Sequence, residues 1–336
     1  MPEKIHIAFC SDGNNVPFWG VALKSVVDNS AEEISYIVYV IHDGMTCQEF
    51  CYLRLLARCR RNFELKFIDI NKVEGSAKFK NLFASGHITL ATYWRLLLPE
   101  ILSDVNKLIY LDTDVVVVDD VAKLYSEDVS GYFCAGCIDI GVAKELPVSQ
   151  DARKILCSLG YMDFSNYINA GVLLINLEYA REKNLFSEML SLAENNNFPL
   201  HDQDVINYTL MNEGGAKIVD QRWNFAIHKD FEVWYPEPIV NAIKHKISIM
   251  DLAIIHYIGP EKPWKCSNRM LRELWVLYAS KTPFFAEVKF SLESAIEREM
   301  AKSGKMRLGR KLEKLLIPKC IHRIKRNLLN NVNKVQ

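Results

Sequence analysis

Residues 107–119, KLIYLDTDVVVVD, form the segment around which the rest of this chain is arranged. It is an apolar run long enough for a buried strand, and two carboxylates interrupt it. On an extended backbone, Asp112 and Asp114 point to the same side. Burying ionised carboxylates among apolar side chains is costly unless a cation pairs with them. One interpretation is therefore a strand that opens into a loop at these aspartates, where they could share one hard cation.

The same segment has a second interpretation, a buried strand that turns with both aspartates solvated in the turn. A pair of aspartates two residues apart recurs often by chance. The motif alone therefore leaves the choice open, and the rest of the chain has to decide it.

Composition and charge place the chain among soluble globular proteins. Of its 336 residues, 49% are apolar and 24% are charged. No repeat, low-complexity segment or linker precedes about residue 283, so residues 1–282 are predicted to form one domain. Residues 301–336 contain eleven Lys or Arg and one acid, a net charge of +10, which leaves −10 for residues 1–300 because the whole chain is neutral. This asymmetry predicts that the tail meets an anionic surface.

The nine cysteines are scattered along the chain and fit a reducing compartment. Cys134 and Cys137 have C-x-x-C spacing, but in a strand they face opposite ways. Neither a second pair nor a histidine cluster accompanies them, so no zinc or redox role is predicted. The N-terminus lacks the layout of a secretory signal, and no run reaches the ~18 apolar residues of a membrane span. We therefore expect a cytoplasmic protein.

Strand and helix patterns alternate along the chain. The first strand, residues 5–10, is followed by a polar turn at 11–15, and Thr46 is the predicted N-cap of the second helix. The predicted strands are residues 5–10, 34–42, 64–70, 107–118, 131–139, 167–177, 217–220 and 252–256. The predicted helices are residues 17–28, 46–59, 88–98, 178–195, a helix opening at 201–204, and 268–280. This order predicts a parallel α/β sheet with ligands bound beyond the carboxyl ends of its strands. No G-x-G-x-x-G follows the first strand, so the dinucleotide fingerprint is absent.

Four motifs in this order resemble glycosyltransferase family 8. They are LDTD at 111–114, NAGVLLIN at 169–176, DQD at 202–204 and HY-x-G-x-x-KPW at 256–264. The resemblance covers roughly residues 5–280 and is strongest to bacterial lipopolysaccharide and lipooligosaccharide galactosyl- and glucosyltransferases. It implies an α/β GT-A fold, that is, a Rossmann-like nucleotide-binding domain with a mixed, mostly parallel sheet. It also implies a UDP-hexose donor, a Mn²⁺ or Mg²⁺ ion and retention of the anomeric configuration.

The resemblance makes Asp112, Asp114 and His256 the metal ligands. Two carboxylates and an imidazole suit Mn²⁺, which accepts mixed oxygen and nitrogen ligands. The ion would bridge the phosphates and neutralise the departing UDP. Lys262 would bind diphosphate oxygens, and Gly259 would let the backbone approach them. A core histidine and a solvated loop lysine are the structural alternatives for His256 and Lys262.

Uridine would lie against the first strand and its loop. The resemblance places Asp12 and Asn14 on the nucleotide, and Ala8, Phe9 and Cys10 would line its pocket by their backbone. It also implies donor contacts from Asn15, Thr113 and Ala170. Relatives often carry an aromatic residue where Asn15 stands, so the contact with the base is open. Asp12 and Asn14 could instead form a plain turn and helix cap.

The sugar would meet a second group of polar residues. Arg95 would reach the sugar or the diphosphate, with a structural salt bridge as its alternative. Asp204 could serve only to favour the start of its helix. Carboxylates and amides offer the directional donors and acceptors that sugars need. The residues predicted to hold the hexose hydroxyls are Asp139, Asn169, Asp202 and Gln203.

The retaining step has two candidate mechanisms. A double displacement needs a carboxylate near the anomeric carbon, opposite the leaving group, and Asp139 and Asp202 are the candidates. The family favours front-side attack through an oxocarbenium-like state, in which the leaving phosphate helps to deprotonate the acceptor. Gln203 would then steady the developing cation.

Residues 283–336 are predicted to be a helical, basic amphipathic tail. Leu308, Leu312 and Leu315 fall at helical spacing with basic residues between them, as in helices that lie in a membrane interface. Such a tail would attach the enzyme peripherally to the inner face of the cell membrane, where a lipid-linked glycan acceptor is met. Packing on the acidic body and nucleic-acid contact are the alternatives, and no nucleic-acid partner is expected.

The sequence thus predicts transfer of galactose or glucose from a UDP-sugar to a cell-envelope glycan, such as the core of a lipopolysaccharide or lipooligosaccharide. Transfer to a protein-linked glycan is one rival, and the basic tail argues mildly against it. A catalytically inactive nucleotide-sugar-binding protein is another, and the intact motif residues argue against it. A metal phosphatase or nuclease is disfavoured, because no second metal cluster accompanies the two carboxylates.

Overall fold

The computed structural model describes residues 4–84, 89–228, 231–237, 239–240, 251–266 and 269–302. The strands in these ranges are β1 (Ile5–Ser11), β2 (Tyr36–His42), β3 (Phe63–Asp69), β4 (Lys107–Leu111), β5 (Val115–Val117), β6 (Cys134–Ile138), β7 (Ile168–Asn176), β8 (Lys217–Ile218), β9 (Phe225–Ala226) and β10 (Ile254–His256). The α-helices are α1 (Val16–Asn29), α2 (Cys47–Ala57), α3 (Leu98–Ile101), α4 (Ala122–Tyr125), α5 (Ile140–Ala143), α6 (Gln150–Ser158), α7 (Leu177–Glu182), α8 (Leu185–Asn195), α9 (Asp202–Asn212), α10 (Phe231–Trp234), α11 (Arg272–Ala279) and α12 (Phe285–Lys302).

The main sheet has seven strands in the order β3-β2-β1-β4-β7-β6-β8. Strands β3, β2, β1 and β4 run parallel, whereas β7 is antiparallel to both β4 and β6. This is the mixed, mostly parallel sheet that the resemblance predicted. Side chains alternate between its two faces, so that Ile7 and Phe9 lie in one apolar core and Ala8 and Cys10 in the other.

Segment 107–119 contributes to two sheets rather than one. After β4, the chain leaves the main sheet at Asp112 and re-enters regular structure as β5 in a three-stranded sheet of order β5-β10-β9. Strand β10 is antiparallel to β5, and its register pairs His256 with Val115. The backbone N–H of Tyr257 also donates to the carbonyl of Asp114 over 3.0 Å. The pairing of β10 with β5 therefore brings His256 beside the two aspartates.

Local sequence explains where several helices begin and end. The predicted cap at Thr46 is confirmed: its hydroxyl accepts from the Glu49 N–H, and the Glu49 carboxylate accepts from the Thr46 N–H. The helix predicted over 178–195 divides into α7 and α8 at Asn184, whose φ is 54°. The helix predicted over 88–98 is instead a 3₁₀ helix, Leu90–Leu97, and Pro99 lies in the first turn of α3 rather than ending a helix. Proline fits there because a first-turn N–H has no intrahelical partner.

Helix α12 belongs to the packed body. Its residues Val288 and Leu292 are fully buried in the core that also contains α1, and the ring of Phe284 lies against Gly20. The packed core therefore continues past residue 282. Residues 303–336, where most of the tail's basic charge lies, are outside the described residues. Within the described ranges, no helix has both the length and the apolar character that crossing a bilayer requires.

Candidate functional site

A cleft of about 390 Å³ lies where the carboxyl ends of β1 and β4 meet the smaller sheet. Parallel neighbouring strands end at the same edge of a sheet, so the loops that follow them converge there. The predicted site residues that line the cleft are Cys10, Asp12, Asn15, Arg95, Asp112, Thr113, Asp114, Asp139, Asn169, Ala170, Asp202, Gln203, His256, Gly259 and Lys262.

Three of these side chains form a candidate metal centre. One ligand atom from each of Asp112, Asp114 and His256 lies within 4.8 Å of the other two. His256 Nε2 is 3.2 Å from Asp114 Oδ1 and 3.6 Å from Asp112 Oδ2. Two carboxylate oxygens and one imidazole nitrogen make a donor set suited to Mn²⁺.

The surroundings of this cluster fit a divalent cation. A Cβ built on Gly171 would lie 2.1 Å from His256 Cε1 and 2.8 Å from Asp112 Oδ2, so only glycine lets the ring and the carboxylate converge. The ammonium of Lys262 contacts the Asp114 carboxylate and also donates to the Tyr257 carbonyl over 2.9 Å. Burial alone would raise the pKa of Asp114, but Lys262 and His256 hold that pKa well below its ordinary value. The carboxylate is therefore ionised and available to a cation.

Gly259 carries the backbone turn that leads to Lys262. Its φ is 77°, in the left-handed region where a side chain is strained. The sequence predicted a role for this glycine in backbone approach, and its conformation gives a physical reason for glycine here.

Arg95 lines the cleft, but most of its contacts are with other residues of the protein. Its guanidinium lies 2.9 Å from Asp112 Oδ1 and 2.8 Å from Asp202 Oδ2, and its Nη1 donates to the Ala170 carbonyl. It also lies 4.2 Å from the centre of the Tyr110 ring and is 6% exposed. These buried partners favour the structural alternative for Arg95, a salt bridge, and its contact with sugar or diphosphate stays a prediction.

Asp139, Asn169 and Gln203 form one hydrogen-bonded group on the other side of the cleft. Asp139 Oδ2 accepts from Asn169 Nδ2 over 3.0 Å and from Gln203 Nε2 over 3.1 Å. Asp139 Oδ1 accepts from the Val142 N–H at the start of α5. Gln203 Oε1 accepts from the Ala170 N–H over 3.0 Å. These residues are up to 64 positions apart in the sequence, and the fold brings them into hydrogen-bonding distance.

Two neighbouring acids of α9 are buried. Asp202 contacts the Thr92 hydroxyl and Arg95, and burial raises the pKa of its carboxyl to about 6 despite the arginine. Asp204 has no exposed surface and does not line the cleft. Its carboxylate accepts from Tyr167 Oη and from the Leu200 N–H, and burial raises its pKa to about 7. Asp204 therefore organises the start of α9, the modest role that the sequence left open.

Only some of the residues predicted to contact the nucleotide line the cleft. Ala8 and Phe9 are not among the cleft-lining residues and their side chains are fully buried on opposite faces of the main sheet, so the backbone contacts predicted for them stay a prediction. Asp12 begins a turn, in which its carbonyl accepts from the Asn15 N–H over 3.3 Å and its Oδ1 accepts from Asn15 Nδ2 over 2.8 Å. The turn is the alternative that the sequence offered for Asp12. The side chain of Asn14 lies outside the described residues.

Other cleft and contact residues were not singled out from the sequence. Asn224 is fully buried and bonds to both His256 and Asn169. A buried polar residue between Trp223 and Phe225 was the one local signal for it. Tyr110 donates to Asp112 Oδ1 over 2.9 Å, but its position within an apolar strand concealed this role. Other residues that line the cleft are Thr89, Ser149, Leu200, His228, Trp234 and Lys265.

Comparisons with known proteins agree with this geometry. Residues 6–267 match the model of glycosyl transferase family 8. General stress protein A of Bacillus subtilis is 25% identical over 275 residues, which cover 80% of this chain and 90% of that protein. Lipopolysaccharide 1,3-galactosyltransferase of Salmonella typhimurium is 26% identical over 268 residues, which cover 78% and 73% respectively.

A solved structure confirms the predicted GT-A fold. The galactosyltransferase LgtC, in complex with donor and acceptor sugar analogues, superimposes with a TM-score of 0.64 and 25% sequence identity. The match covers 83% of this chain and 96% of LgtC. Because the family model spans well over half of the chain, the protein belongs to glycosyltransferase family 8.

Proposed function

We propose that this glycosyltransferase is a retaining, metal-dependent hexosyltransferase that takes galactose or glucose from a UDP-sugar. The observation that carries the proposal is the convergence of Asp112, Asp114 and His256 at the mouth of the parallel sheet. The ammonium of Lys262 contacts Asp114, so a cation-binding cluster and a positively charged side chain lie together where a diphosphate would bind.

A bound Mn²⁺ or Mg²⁺ would neutralise the charge that builds on the diphosphate as it leaves. The protein's own residues supply the rest. Asp112 and Asp114 would hold the ion with His256, and Lys262 would move from Asp114 to phosphate oxygens. The left-handed turn at Gly259 would let backbone N–H groups approach the same phosphates.

The contacts of the two candidate nucleophiles support front-side attack. Asp139 accepts three hydrogen bonds, from Asn169, Gln203 and the Val142 N–H. Asp202 is paired with Arg95 and Thr92. The three hydrogen bonds stabilise the Asp139 carboxylate and lower its nucleophilicity, whereas Asp202 is only 3% exposed and its carboxylate oxygens already contact Arg95 and Thr92. Gln203 Oε1 keeps a second lone pair beside its bond to the Ala170 N–H, and it would steady positive charge on the sugar ring.

We further propose a glycan of the cell envelope as the acceptor. The similarity to a lipopolysaccharide galactosyltransferase supports this class. The basic residues of the tail would hold the enzyme on the inner face of the membrane, close to a lipid-linked acceptor.

Release of UDP tests the catalytic part of the proposal. The full-length protein would be incubated with UDP-galactose, UDP-glucose and their N-acetyl counterparts, with Mn²⁺, with EDTA, and with EDTA followed by excess Mn²⁺. We expect release from one hexose donor, loss with EDTA and recovery with Mn²⁺. Asp114→Asn should be inactive under every condition. Full turnover in EDTA would contradict the proposal.

Product analysis tests the stereochemistry and the acceptor. The active donor would be offered with truncated lipopolysaccharide cores, and the new linkage would be assigned by NMR. We expect the α-configuration of the UDP-hexose to be kept in the product. An inverted linkage would contradict the retaining mechanism without affecting the assignment of donor and metal.

A further inference from the structure

Both the nitrogen and the oxygen of the Asn224 side-chain amide make hydrogen bonds. It ends the 3₁₀ helix Gln221–Asn224, directly before β9, and has no exposed surface. Its Nδ2 donates to Asn169 Oδ1 over 2.8 Å, and its Oδ1 lies 2.9 Å from His256 Nδ1. The amide therefore connects the candidate metal centre with the group formed by Asn169, Asp139 and Gln203.

A backbone group fixes the orientation of these amides. The N–H of Gly171 lies 3.0 Å from the side chain of Asn169, and a backbone N–H can only donate. Asn169 must therefore present its oxygen to Gly171 and to Asn224. Its Nδ2 then faces the Asp139 carboxylate, which accepts it over 3.0 Å. Asn224 consequently has to donate to Asn169, which leaves its own carbonyl oxygen for His256.

The same reasoning identifies which nitrogen of the His256 imidazole carries the hydrogen. The Asn224 carbonyl oxygen only accepts, so the hydrogen at this contact belongs to His256 Nδ1. In the neutral ring, the lone pair then lies on Nε2, which is the atom that faces Asp112 and Asp114. A histidine that ligates a metal through one nitrogen needs this arrangement, with a fixed acceptor for the other nitrogen.

We propose that Asn224 is a positioning residue: it holds His256 as the Nδ1–H tautomer for cation binding and ties the cation centre to the sugar side through Asn169. The chain of bonds runs from His256 through Asn224, Asn169 and Asp139 to Gln203. This inference rests on the proposed function, because it concerns the same site.

Two substitutions distinguish the effect of the bond to His256 from the effect of the bond to Asn169. Asn224→Leu has a similar volume and removes both the acceptor for His256 and the donor for Asn169. Asn224→Asp keeps an acceptor for His256 but has no donor for Asn169. We expect Asn224→Leu to impair the cation centre, and Asn224→Asp to impair only the link to the sugar side.

Calorimetric titration of the full-length protein with Mn²⁺, without any nucleotide, measures the first effect. Loss of such a supporting partner typically weakens metal binding by about 10–100-fold, and we expect a change in that range for Asn224→Leu. Asn224→Asp should bind Mn²⁺ at least as tightly as the wild type, while its kcat falls. Asn62→Leu is the matched control: it loses two bonds to backbone carbonyls of Ala31 and Ile34, and should lower the melting temperature without changing Mn²⁺ binding. Unchanged Mn²⁺ affinity in folded Asn224→Leu would overturn the proposal.

Long-range ¹H–¹⁵N NMR of the wild type reads the tautomer directly and does not require a folded variant. In the Mg²⁺-saturated protein, labelled on histidine nitrogen, we expect the His256 proton on Nδ1 and protected from exchange. A proton on Nε2 would overturn the proposal. Neither the Mn²⁺ titration nor the NMR measurement contains a UDP-sugar. Failure of the proposed function would therefore appear separately, as Mn²⁺ binding and the expected tautomer without turnover of any hexose donor.

Discussion

Gly171 lies directly against the imidazole of His256, so that a Cβ at Gly171 would stand 2.1 Å from Cε1 and 2.7 Å from Nδ1 of that ring. The same Cβ would lie 2.8 Å from Asp112 Oδ2. Gly171 also accepts the backbone N–H of Asp112 over 2.7 Å, which fixes its position beside β4. The smallest side chain would therefore displace two of the three candidate ligands at once.

We expect Gly171→Ala to fold but to lose cation binding. The ring and the carboxylate must both move, and misplacing such groups typically weakens metal binding by about tenfold or more. Calorimetric titration with Mn²⁺ measures the change. Gly136→Ala is the control, because its Cβ would meet only apolar atoms of Ile168 and Leu173 at 3.0–3.4 Å. Equal Mn²⁺ affinity in wild type and Gly171→Ala would show that His256 is not a ligand.

The sequence predicted the part of the fold that depends on local pattern. Strands β1 to β3 and their helices follow from alternating apolar runs and a capping box at Thr46. It could not divide 107–119 between two sheets, because Val115, Val116 and Val117 are equally apolar and equally buried. That division depends on pairing with β10, whose His256 lies 141 positions after its partner Val115.

Prediction of the site was likewise limited by contacts between residues that are distant in the sequence. The proximity of Asp112, Asp114 and His256 was predicted because the family resemblance links motifs that are far apart in the sequence. The resemblance could not show that Arg95 pairs with two acids, since Asp112 and Asp202 lie 17 and 107 positions away from it. Asn224 carried no local signal beyond a polar residue between two aromatic ones.

Lys262 should have opposite effects on metal and on turnover. Its ammonium contacts Asp114, so it competes with any cation that needs this carboxylate. We expect Lys262→Met to bind Mn²⁺ several-fold more tightly in the absence of nucleotide. Turnover of the UDP-hexose should nevertheless fall by about tenfold or more, because a charge-assisted contact to phosphate is lost. Titration with Mn²⁺ and initial rates measure the two quantities.

Lys265→Met is the control for Lys262, because Lys265 lines the same cleft and its side chain is exposed. It should leave Mn²⁺ binding unchanged. Weaker Mn²⁺ binding by Lys262→Met would contradict the competition that the contact implies.

Arg95 should contribute mainly to stability. Burial alone would lower the pKa of Arg95, but Asp112 and Asp202 raise it above its ordinary value, so the guanidinium is charged. Replacing Arg95 with Met leaves two acids without their cation, and breaking a buried pair costs about 3–5 kcal/mol. Urea denaturation measures the loss, and Arg95→Lys should restore only part of it because lysine lacks the fork that reaches both acids and the Ala170 carbonyl.

Arg181→Met is the matched control for Arg95. Arg181 donates to the backbone carbonyls of Leu102 and Val105 and does not line the cleft. The oxygens that Arg181 contacts are uncharged, so Arg181→Met should cost less stability than Arg95→Met, which leaves two acids unpaired. Full stability in Arg95→Met would mean that the ion pairs make no net contribution.

The basic tail should bind anionic membranes. Each Lys or Arg near an anionic surface contributes about 1 kcal/mol, and high salt screens this attraction. We expect the full-length protein to float with liposomes that contain phosphatidylglycerol, but not with neutral liposomes or at high salt. A chain ending at residue 302 keeps the buried residues of α12 and should stay in solution. Equal flotation of both chains would remove the role of the tail.

Asp204 should make stability fall as the pH rises from about 4 to about 7. Burial raises the pKa of its carboxyl from 3.8 to about 7, against the hydrogen bonds from Tyr167 and the Leu200 N–H. In this window the folded protein keeps a proton that the unfolded chain has released, so by linkage each further pH unit favours unfolding. The contribution is at most about 1.4 kcal/mol per pH unit.

Urea denaturation of wild type and Asp204→Asn across this window isolates the effect. The asparagine has no proton to lose, so the wild type's free energy of unfolding should decline relative to the variant as the pH rises. Asp151→Asn is the control, because its side chain is 84% exposed and should give no such decline. A constant difference between wild type and Asp204→Asn would mean that Asp204 is already ionised in the folded protein near pH 4. The bonds from Tyr167 and Leu200 would then outweigh burial, and Asp204 would place a permanent negative charge beside Gln203 at the start of α9.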